Sequence, residues 1–275
     1  MLKFLKNIFQ EKEAKNASPT HTQALVKALV KALVQADMHS HLLPALDDGV
    51  QTLEESFGLL TQFAAMGYKK MVMTPHIMGD FYKNSAENIL PCLEKLRNFV
   101  KENNLEIQLE AAAEYYLDEF LLEKLRKSEK LLTFGSGNNH INNDTNNNQK
   151  KFILFETAFM SPPYFLDEAV FLMQSEGYQP VFAHPERYTY LYDNFYILDK
   201  MLEKGVLLQI NLNSLGGYYA QGAQKLAEKL VQNNLVSFVG TDCHHEKHLK
   251  SLEKATKSKF YDKLFEAKLL NNSLL

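Results

Sequence analysis

Cysteine is nearly absent from this 275-residue chain, which contains only Cys92 and Cys243. Two cysteines are too few for a disulfide framework, so the sequence favours a reducing compartment and a cytoplasmic location. Arginine is also scarce, because Arg97, Arg126 and Arg187 are the only three among 30 basic residues. The position of any one of these arginines is therefore informative.

The chain also lacks a positive charge excess and a long uninterrupted apolar run. Its formal net charge of -3 argues against a nucleic-acid-binding protein. Residues 1–35 are predicted to be an N-terminal extension, partly disordered or helical, because charged side chains interrupt its apolar stretches. Weak contact of this segment with a membrane surface is the alternative. Residues 36–275 are assigned to one domain, whose oligomeric state the sequence does not define.

From residue 36 onward, short apolar or β-branched runs alternate with longer segments of helical periodicity. Strands are predicted near residues 36–39, 69–76, 107–116, 151–157, 179–186, 206–213 and 236–244. Helices are predicted near residues 53–65, 85–103, 118–127, 165–176, 194–204, 222–233 and 249–269. This alternation predicts an α/β fold of parallel strands with helical crossovers, either a closed barrel or an open doubly wound sheet.

One stretch interrupts this alternation. Residues 135–151 are rich in Asn and Gly, which is typical of a mobile surface loop. We interpret His140 and Asp144, which lie in it, as solvated bystanders.

Potential metal ligands collect where the predicted strands end. Five of the nine histidines lie there together with two carboxylates, namely His39, His41, His76, Glu114, His184, Asp242 and His244. Because the carboxyl ends of parallel strands share one face, we expect these side chains to converge. Residues i and i+2 of a strand point to the same side, so each of the pairs His39/His41 and Asp242/His244 can chelate one ion.

Asp48 completes a set of candidate ligands that is too large for one ion. A single catalytic zinc needs about three protein ligands, so the set predicts two or three ions. Imidazole and carboxylate ligands suit Mn, Fe or Zn and disfavour a structural zinc. Asp48 precedes Gly49 and could instead be a turn residue, a role that Asp47 fits equally well. His245 and His248 follow in the last loop and are interpreted as bystanders.

Five segments together carry a family resemblance. In chain order they read "DMHSHLLPALDDG", "TPH", "AAAEYYLDE", "AHPERY" and "GTDCH". They resemble the polymerase and histidinol phosphatase (PHP) superfamily, and within it the bacterial tyrosine-protein phosphatases of the CpsB and YwqE type. The similarity covers roughly residues 36–270. The N-terminal extension and the Asn-rich insert depart from the compact family pattern.

The resemblance implies a distorted (β/α)7 TIM-like barrel with a metal site at the C-terminal ends of the strands. One ion of a trinuclear centre would be held by His39, His41, Glu114 and Asp242. Glu114 would bridge to a second ion, bound also by His76 and His184, and the third would be held by Asp48 and His244. Manganese is the favoured metal, with Fe, Zn or Mg as alternatives. Arg187, three residues after His184, matches the family's phosphate-binding arginine.

The implied activity is phosphomonoester hydrolysis on phosphotyrosine proteins, with a tyrosine kinase of capsule or exopolysaccharide biosynthesis as the expected partner. Clustered divalent ions lower the pKa of a bound water, and the resulting hydroxide attacks phosphorus. Arg187, which can hold phosphate oxygens bidentately, is a predicted catalytic residue together with Glu114 and Asp242. The alternative is a small-molecule phosphatase acting on a substrate such as histidinol phosphate, for which we would expect a deep, closed pocket.

A cysteine-dependent phosphatase is disfavoured by residue spacing. That mechanism needs a Cys followed by five residues and an Arg, so that a loop of N–H groups surrounds the phosphate. Only four residues separate Cys92 from Arg97, inside a predicted helix, and no arginine follows Cys243.

Overall fold

The structure, a computed structural model, describes residues 34–135, 150–264 and 266–275. The predictions for residues 1–33, including membrane contact, and for His140 and Asp144 lie outside the described residues. No helix in the described ranges is both long and apolar enough to cross a membrane.

The strands pair in parallel along the described part of the chain. They are β1 (Ala36–Asp37), β2 (Lys70–Met73), β3 (His76–Ile77), β4 (Gln108–Ala111), β5 (Glu114–Tyr116), β6 (Lys151–Glu156), β7 (Tyr178–Ala183), β8 (Leu207–Asn211) and β9 (Phe238–Gly240). One sheet has the order β1-β2-β4, and the other has the order β3-β5-β6-β7-β8-β9. The predicted α/β fold with parallel strands is confirmed.

Two predicted strands are each divided into two short ones. Residues 69–76 give β2 and β3, and residues 107–116 give β4 and β5. Pro75 lies in the first break and has no N–H to donate to a ladder. Main-chain hydrogen bonds still cross both breaks, from Ala112 N to Met73 O at 2.8 Å and from Glu114 N to Pro75 O at 3.2 Å. The two sheets therefore continue into each other.

Helices follow most strands, close to their predicted positions. They are α1 (Leu53–Ala65), α2 (Ala86–Glu102), α3 (Glu119–Arg126), α4 (Leu166–Ser175), α5 (Tyr196–Glu203), α6 (Gln221–Gln232), α7 (Glu246–Ala255) and α8 (Lys259–Lys263). The single helix predicted over 249–269 is wrong, because α7 ends at Ala255 and a new helix begins after Ser258. The Ser258 side chain accepts a hydrogen bond from Phe260 N at 3.3 Å and so caps α8.

Apolar side chains pack on both faces of the strands. Met71 and Met73 belong to a large cluster shared with the helices, whereas Val72 points into a smaller cluster built mainly from strand residues. This alternation follows from the two-residue period of a strand. Both faces being covered explains the apolar runs inside the longer strands, such as residues 152–155 of β6 and 181–183 of β7.

The first and last strands are joined at both of their ends. Near their C-terminal ends, Asp242 N donates to His39 O at 2.8 Å and His41 N donates to Cys243 O at 3.0 Å. Near the opposite end, the buried Asn271 amide donates to Ala36 O at 3.0 Å and to Val239 O at 2.7 Å. Its Oδ1 accepts from Val239 N at 3.0 Å.

We expect Asn271→Ala to destabilise the protein, because it removes three buried hydrogen bonds and leaves main-chain groups without partners. Each unsatisfied buried group costs about 1–3 kcal/mol, so with three such groups urea unfolding should show a loss of at least about 3 kcal/mol. The neighbouring Asn272→Ala is the control, since Asn272 is exposed and its side chain accepts an exposed hydrogen bond from Gln35 N. Equal stability of both variants would contradict the structural role of Asn271.

Candidate metal centre

Four side-chain atoms from distant parts of the chain meet at the C-terminal ends of the strands. His39 Nε2 lies 3.2 Å from His41 Nε2, 3.2 Å from Glu114 Oε2 and 3.5 Å from Asp242 Oδ1. His41 Nε2 lies 3.3 Å from Glu114 Oε2 and 3.4 Å from Asp242 Oδ1. Ligands about 2.0–2.2 Å from a tetrahedral ion are about 3.3–3.6 Å from one another, so these spacings match a coordination shell.

Buried atoms that lack a hydrogen-bonding partner in the described part of the chain make the same place a candidate cation site. Glu114 Oε2 and His76 Nδ1 are buried and have no hydrogen-bonding partner among the described residues. Glu114 Oε2 nevertheless has imidazole nitrogens of His39, His41 and His76 within 3.2–3.3 Å. A buried carboxylate oxygen approached in this way needs positive charge. The residues therefore fit bound divalent cations.

All eight predicted ligands take part in overlapping clusters whose ligand atoms lie within 4.8 Å of one another. Besides the group around His39, His41 and Asp242, three clusters are present within the described ranges: His41/Asp48/His76/His244, His39/Glu114/His184 and His76/Glu114/Glu156. His184 Nε2 lies 2.8 Å from Glu114 Oε1, and His244 Nε2 lies 3.3 Å from Asp48 Oδ1. Asp48 stands at the outer edge, with 54% of its side chain exposed.

Glu156 is a potential ligand that the sequence analysis did not assign. It is the last residue of β6, and its Oε1 lies 3.1 Å from His76 Nδ1. Its Oε2 lies 3.9 Å from His184 Nε2. The rule that ligands lie where strands end could have identified it, because Glu156 ends the apolar run "KFILFE".

The local backbone turns ligands inward at two strand ends. His184 follows β7 with φ 32° and Asp242 follows β9 with φ 49°, both in the left-handed region. Non-glycine residues rarely adopt this region, and such positions concentrate at functional sites. After His184 the chain forms a 3₁₀ turn, Pro185–Arg187, which brings Arg187 to the same face.

The two histidines of the first strand are oriented by different partners. His39 Nδ1 contacts the Gln209 amide oxygen at 2.9 Å, whereas His41 Nδ1 contacts Asp47 Oδ2 at 2.7 Å. Asp47 Oδ2 also accepts from His76 N at 3.0 Å, and Asp47 Oδ1 accepts from Gly49 N at 2.9 Å. Asp47 thus has the predicted turn role and also holds two candidate ligands in place. Such outer partners fix the ring orientation of a metal-binding histidine.

Asp242 presents its two oxygens to different groups. Oδ1 faces the histidines, while Oδ2 accepts from Asn211 Nδ2 at 2.7 Å, Arg187 Nη1 at 2.9 Å and Tyr219 OH at 3.3 Å. Three donors on one oxygen fix the carboxylate plane. Asn211 and Tyr219 have no assigned role in the sequence analysis, although Asn211 ends β8.

Mutual attraction within the cluster lowers the pKa values of Glu114 and Asp242 and raises the pKa of His39. Burial raises the pKa of Glu114, but the charges of His39 and His76 outweigh it and hold that pKa well below its usual range. Burial likewise opposes ionisation of Asp242, whereas His39, His244 and Arg187 keep its pKa low. Burial lowers the pKa of His39, but Glu114 and Asp242 raise it to about 9. The carboxylates are therefore ionised and ready to bind cations.

The centre opens into a cleft of 640 Å³. Its walls include Tyr82, Phe159 and Met160 beside the ligands, and the side chain of Met160 is 81% exposed. His248, interpreted from the sequence as a bystander, lines the cleft, and its Nδ1 accepts a hydrogen bond from His244 N at 3.0 Å. Burial lowers the pKa of His248 to about 3, so it is neutral at physiological pH.

The fold and the site together define an α/β protein with a clustered His/Asp/Glu centre of the metal-dependent hydrolase kind. The chain belongs to the CpsB/CapC family of capsular polysaccharide synthesis, whose model matches residues 35–273. The predicted family resemblance is confirmed.

Individual relatives span most of the chain. CapC of Staphylococcus aureus is 28% identical over 243 residues, which cover 87% of this chain and 90% of CapC. The tyrosine-protein phosphatase YwqE of Bacillus subtilis is 28% identical over 211 residues, which cover 77% of this chain and 78% of YwqE. A solved structure described as YwqE from Bacillus subtilis and CpsB from Streptococcus pneumoniae, metal-dependent tyrosine phosphatases, superposes with a TM-score of 0.71. It is 26% identical and covers 87% of this chain and 94% of that one.

We expect Asp47→Asn to weaken metal binding by about 10- to 100-fold, because His41 loses its carboxylate partner. Titration calorimetry of metal-stripped protein with Mn²⁺ measures this change. The exposed Asp80→Asn, in the loop after β3, is the control and should bind Mn²⁺ as the unmodified protein does. An unchanged affinity in Asp47→Asn would show that Asp47 is only a turn residue.

Metal binding should release protons and strengthen as the pH rises. Without metal, His39 has a pKa of about 9 and carries a proton at neutral pH. A cation must displace that proton, so the apparent Mn²⁺ affinity should increase from about pH 6 to about pH 9. Calorimetry in buffers of different ionisation enthalpy counts the released protons. Binding that neither depends on pH nor releases protons would contradict the assignment of His39.

Proposed function

We propose that this protein is a metal-dependent protein-tyrosine phosphatase. The observation that carries the proposal is the convergence of His39, His41, Glu114 and Asp242, whose ligand atoms are spaced like a coordination shell. Relatives covering most of the chain are named tyrosine-protein phosphatases, and the family is that of capsular polysaccharide synthesis.

The proposed centre holds two or three divalent ions, with manganese favoured and Fe, Zn or Mg as alternatives. The proposed ligands are His39, His41, Asp48, His76, Glu114, His184, Asp242 and His244, to which the geometry adds Glu156. Glu114 Oε2 faces His39, and Glu114 Oε1 faces His184. This arrangement supports the proposal that Glu114 bridges two ions. Oxygen and imidazole donors without thiolate agree with this choice of metals.

The proposed catalytic residues would neutralise the charge of the substrate phosphate and hold it in position. Bound divalent ions would supply a water of lowered pKa and neutralise the phosphate dianion. Arg187 would hold phosphate oxygens at the cleft side of Asp242, to which its Nη1 is bonded at 2.9 Å. Asp242 and Glu114 are held ionised by their neighbours, so they would keep their ligand role near neutral pH.

A phosphotyrosine protein is the proposed substrate, and a tyrosine kinase that controls capsule or exopolysaccharide production is the proposed partner. The half-exposed Asp48 and the exposed Met160 at the cleft support a protein substrate, since a small-molecule phosphatase is expected to enclose its ligand. A cytoplasmic location remains part of the proposal, supported by the free thiols of Cys92 and Cys243.

We also propose that the two sheets close into a distorted (β/α)7 TIM-like barrel. Support comes from the hydrogen bonds between His39 and Asp242 and between His41 and Cys243, which join the first and last strands. The division into an extension, 1–35, and a phosphatase domain, 36–275, stays a prediction.

Purified protein should hydrolyse p-nitrophenyl phosphate when Mn²⁺ is added and should stop when EDTA removes it. His41→Ala and Asp242→Ala should each lower kcat/KM by more than about 100-fold. Removing a residue that only hydrogen-bonds to a metal ligand typically costs at most about 100-fold, so a larger loss indicates a ligand itself. Circular dichroism checks that both variants keep the fold.

Cys92→Ser is the matched control, because a cysteine-dependent mechanism predicts its inactivity and the metal mechanism predicts an unchanged rate. Full activity of the EDTA-treated protein and of both ligand variants would refute the proposed function.

A further inference from the structure

Three successive loops bring an arginine between two aromatic rings. Phe159 follows β6, Arg187 follows β7 and Tyr219 lies between β8 and α6. The guanidinium carbon of Arg187 is 4.8 Å from the centre of the Phe159 ring and 4.6 Å from the centre of the Tyr219 ring. Both distances lie within the range of favourable cation–π contacts.

Arg187 has hydrogen-bonding capacity left over at this position. Its Nη1 donates to Asp242, and its other guanidinium N–H groups have no protein acceptor among the described residues. A guanidinium has five N–H donors in a rigid plane, and the Arg187 side chain is only 25% exposed. Donors that are largely desolvated, unpaired and beside the metal ligands form a ready site for an anion.

The position of Phe159 is not explained by packing alone. The residue is 43% exposed although it is a large apolar side chain. Its loop is fixed by the main chain, because Phe159 O accepts from Thr189 N at 2.9 Å and from the Thr189 hydroxyl at 3.0 Å. The main chain therefore helps to hold this loop, and the ring lies against both Tyr188, 5.8 Å between ring centres, and the Arg187 guanidinium.

We propose that Phe159 and Tyr219 form an aromatic clamp that keeps the Arg187 guanidinium in the orientation that binds a phosphate dianion. This rests on the proposed function for the identity of the anion. Both are positioning residues: Phe159 acts through Arg187, and Tyr219 acts through Arg187 and also donates to Asp242. A long side chain held between two rings loses less freedom when the phosphate binds, so the clamp increases phosphate affinity. Lysine also contacts aromatic rings, but it has no planar head group that two rings could orient toward a pair of phosphate oxygens.

The test measures binding of inorganic phosphate to Mn²⁺-loaded protein by calorimetry. Phe159→Leu keeps an apolar side chain but removes the ring, and should weaken phosphate binding by about 3- to 10-fold. Phe159→Tyr restores a ring and should bind phosphate as the unmodified protein does. The same ordering should appear in KM for p-nitrophenyl phosphate, with kcat nearly unchanged. Manganese content and thermal unfolding should be equal in all variants.

Two further variants show whether the effect passes through Arg187. Phe171→Leu changes another exposed phenylalanine, 66% exposed on α4 and away from the cleft, and should have no effect. In an Arg187→Ala background, Phe159→Leu should cause no additional loss of phosphate affinity, because the clamped group is gone.

The outcomes separate the clamp from the proposed function. Phosphate binding by Phe159→Leu that equals that of the unmodified protein, while Arg187→Ala binds weakly, overturns the clamp alone. Equal losses from Phe159→Leu and Phe159→Tyr also overturn it, because a ring would then not matter. Absence of aryl phosphate hydrolysis by the unmodified protein refutes the proposed function, whereas the phosphate titrations still decide the clamp.

Discussion

The structure depends on a buried group of opposite charges at one end of the strands. His39, His41, Glu114 and Asp242 are each at most 1% exposed, and their ligand atoms lie 3.2–3.5 Å apart in every measured pair. Desolvated carboxylates are unfavourable unless cations or donors surround them. The histidines satisfy part of this need, and the unpartnered Glu114 Oε2 marks the part that a metal ion would satisfy. The surrounding fold places the histidines close enough to the carboxylates to offset part of the free-energy cost of burying them.

Each member of the group is held by a partner behind it. Gln209 and Asp47 orient the two histidines, and Asn211 fixes Asp242 from the side away from the histidines. These partners come from β8 and from the loop after β1, so strands far apart in sequence share the task. Asp242 also accepts a hydrogen bond from Arg187, which connects the candidate ligands to the side of the cleft where we propose that phosphate binds. In the proposed function, one carboxylate therefore contacts both the metal-binding side chains and the phosphate-binding arginine.

Much of the site could be predicted from residue types and their places along the chain. His39, His76, His184 and Asp242 each end a run with strand periodicity, and parallel strands present such ends on one face. Glu156 has the same placement and was missed, because a single glutamate after an apolar run resembles an ordinary strand terminus. Asp47 was predicted only as a turn residue, since its bond to His41 depends on how the loop folds back. The division of two strands and of the last helix was missed as well, because short breaks leave the periodicity nearly intact.

The sequence by itself determined the alternation of strands and helices, the donor types of the centre and the family to which the chain belongs. Only the tertiary structure decided which oxygen of Asp242 faces the histidines, which partner orients each ring and that Arg187 lies between Phe159 and Tyr219. The reason is physical. Periodicity and residue type are local properties of the chain, whereas distances between side chains from different strands depend on strand order, register and loop conformation. Those quantities are set by packing of the whole domain.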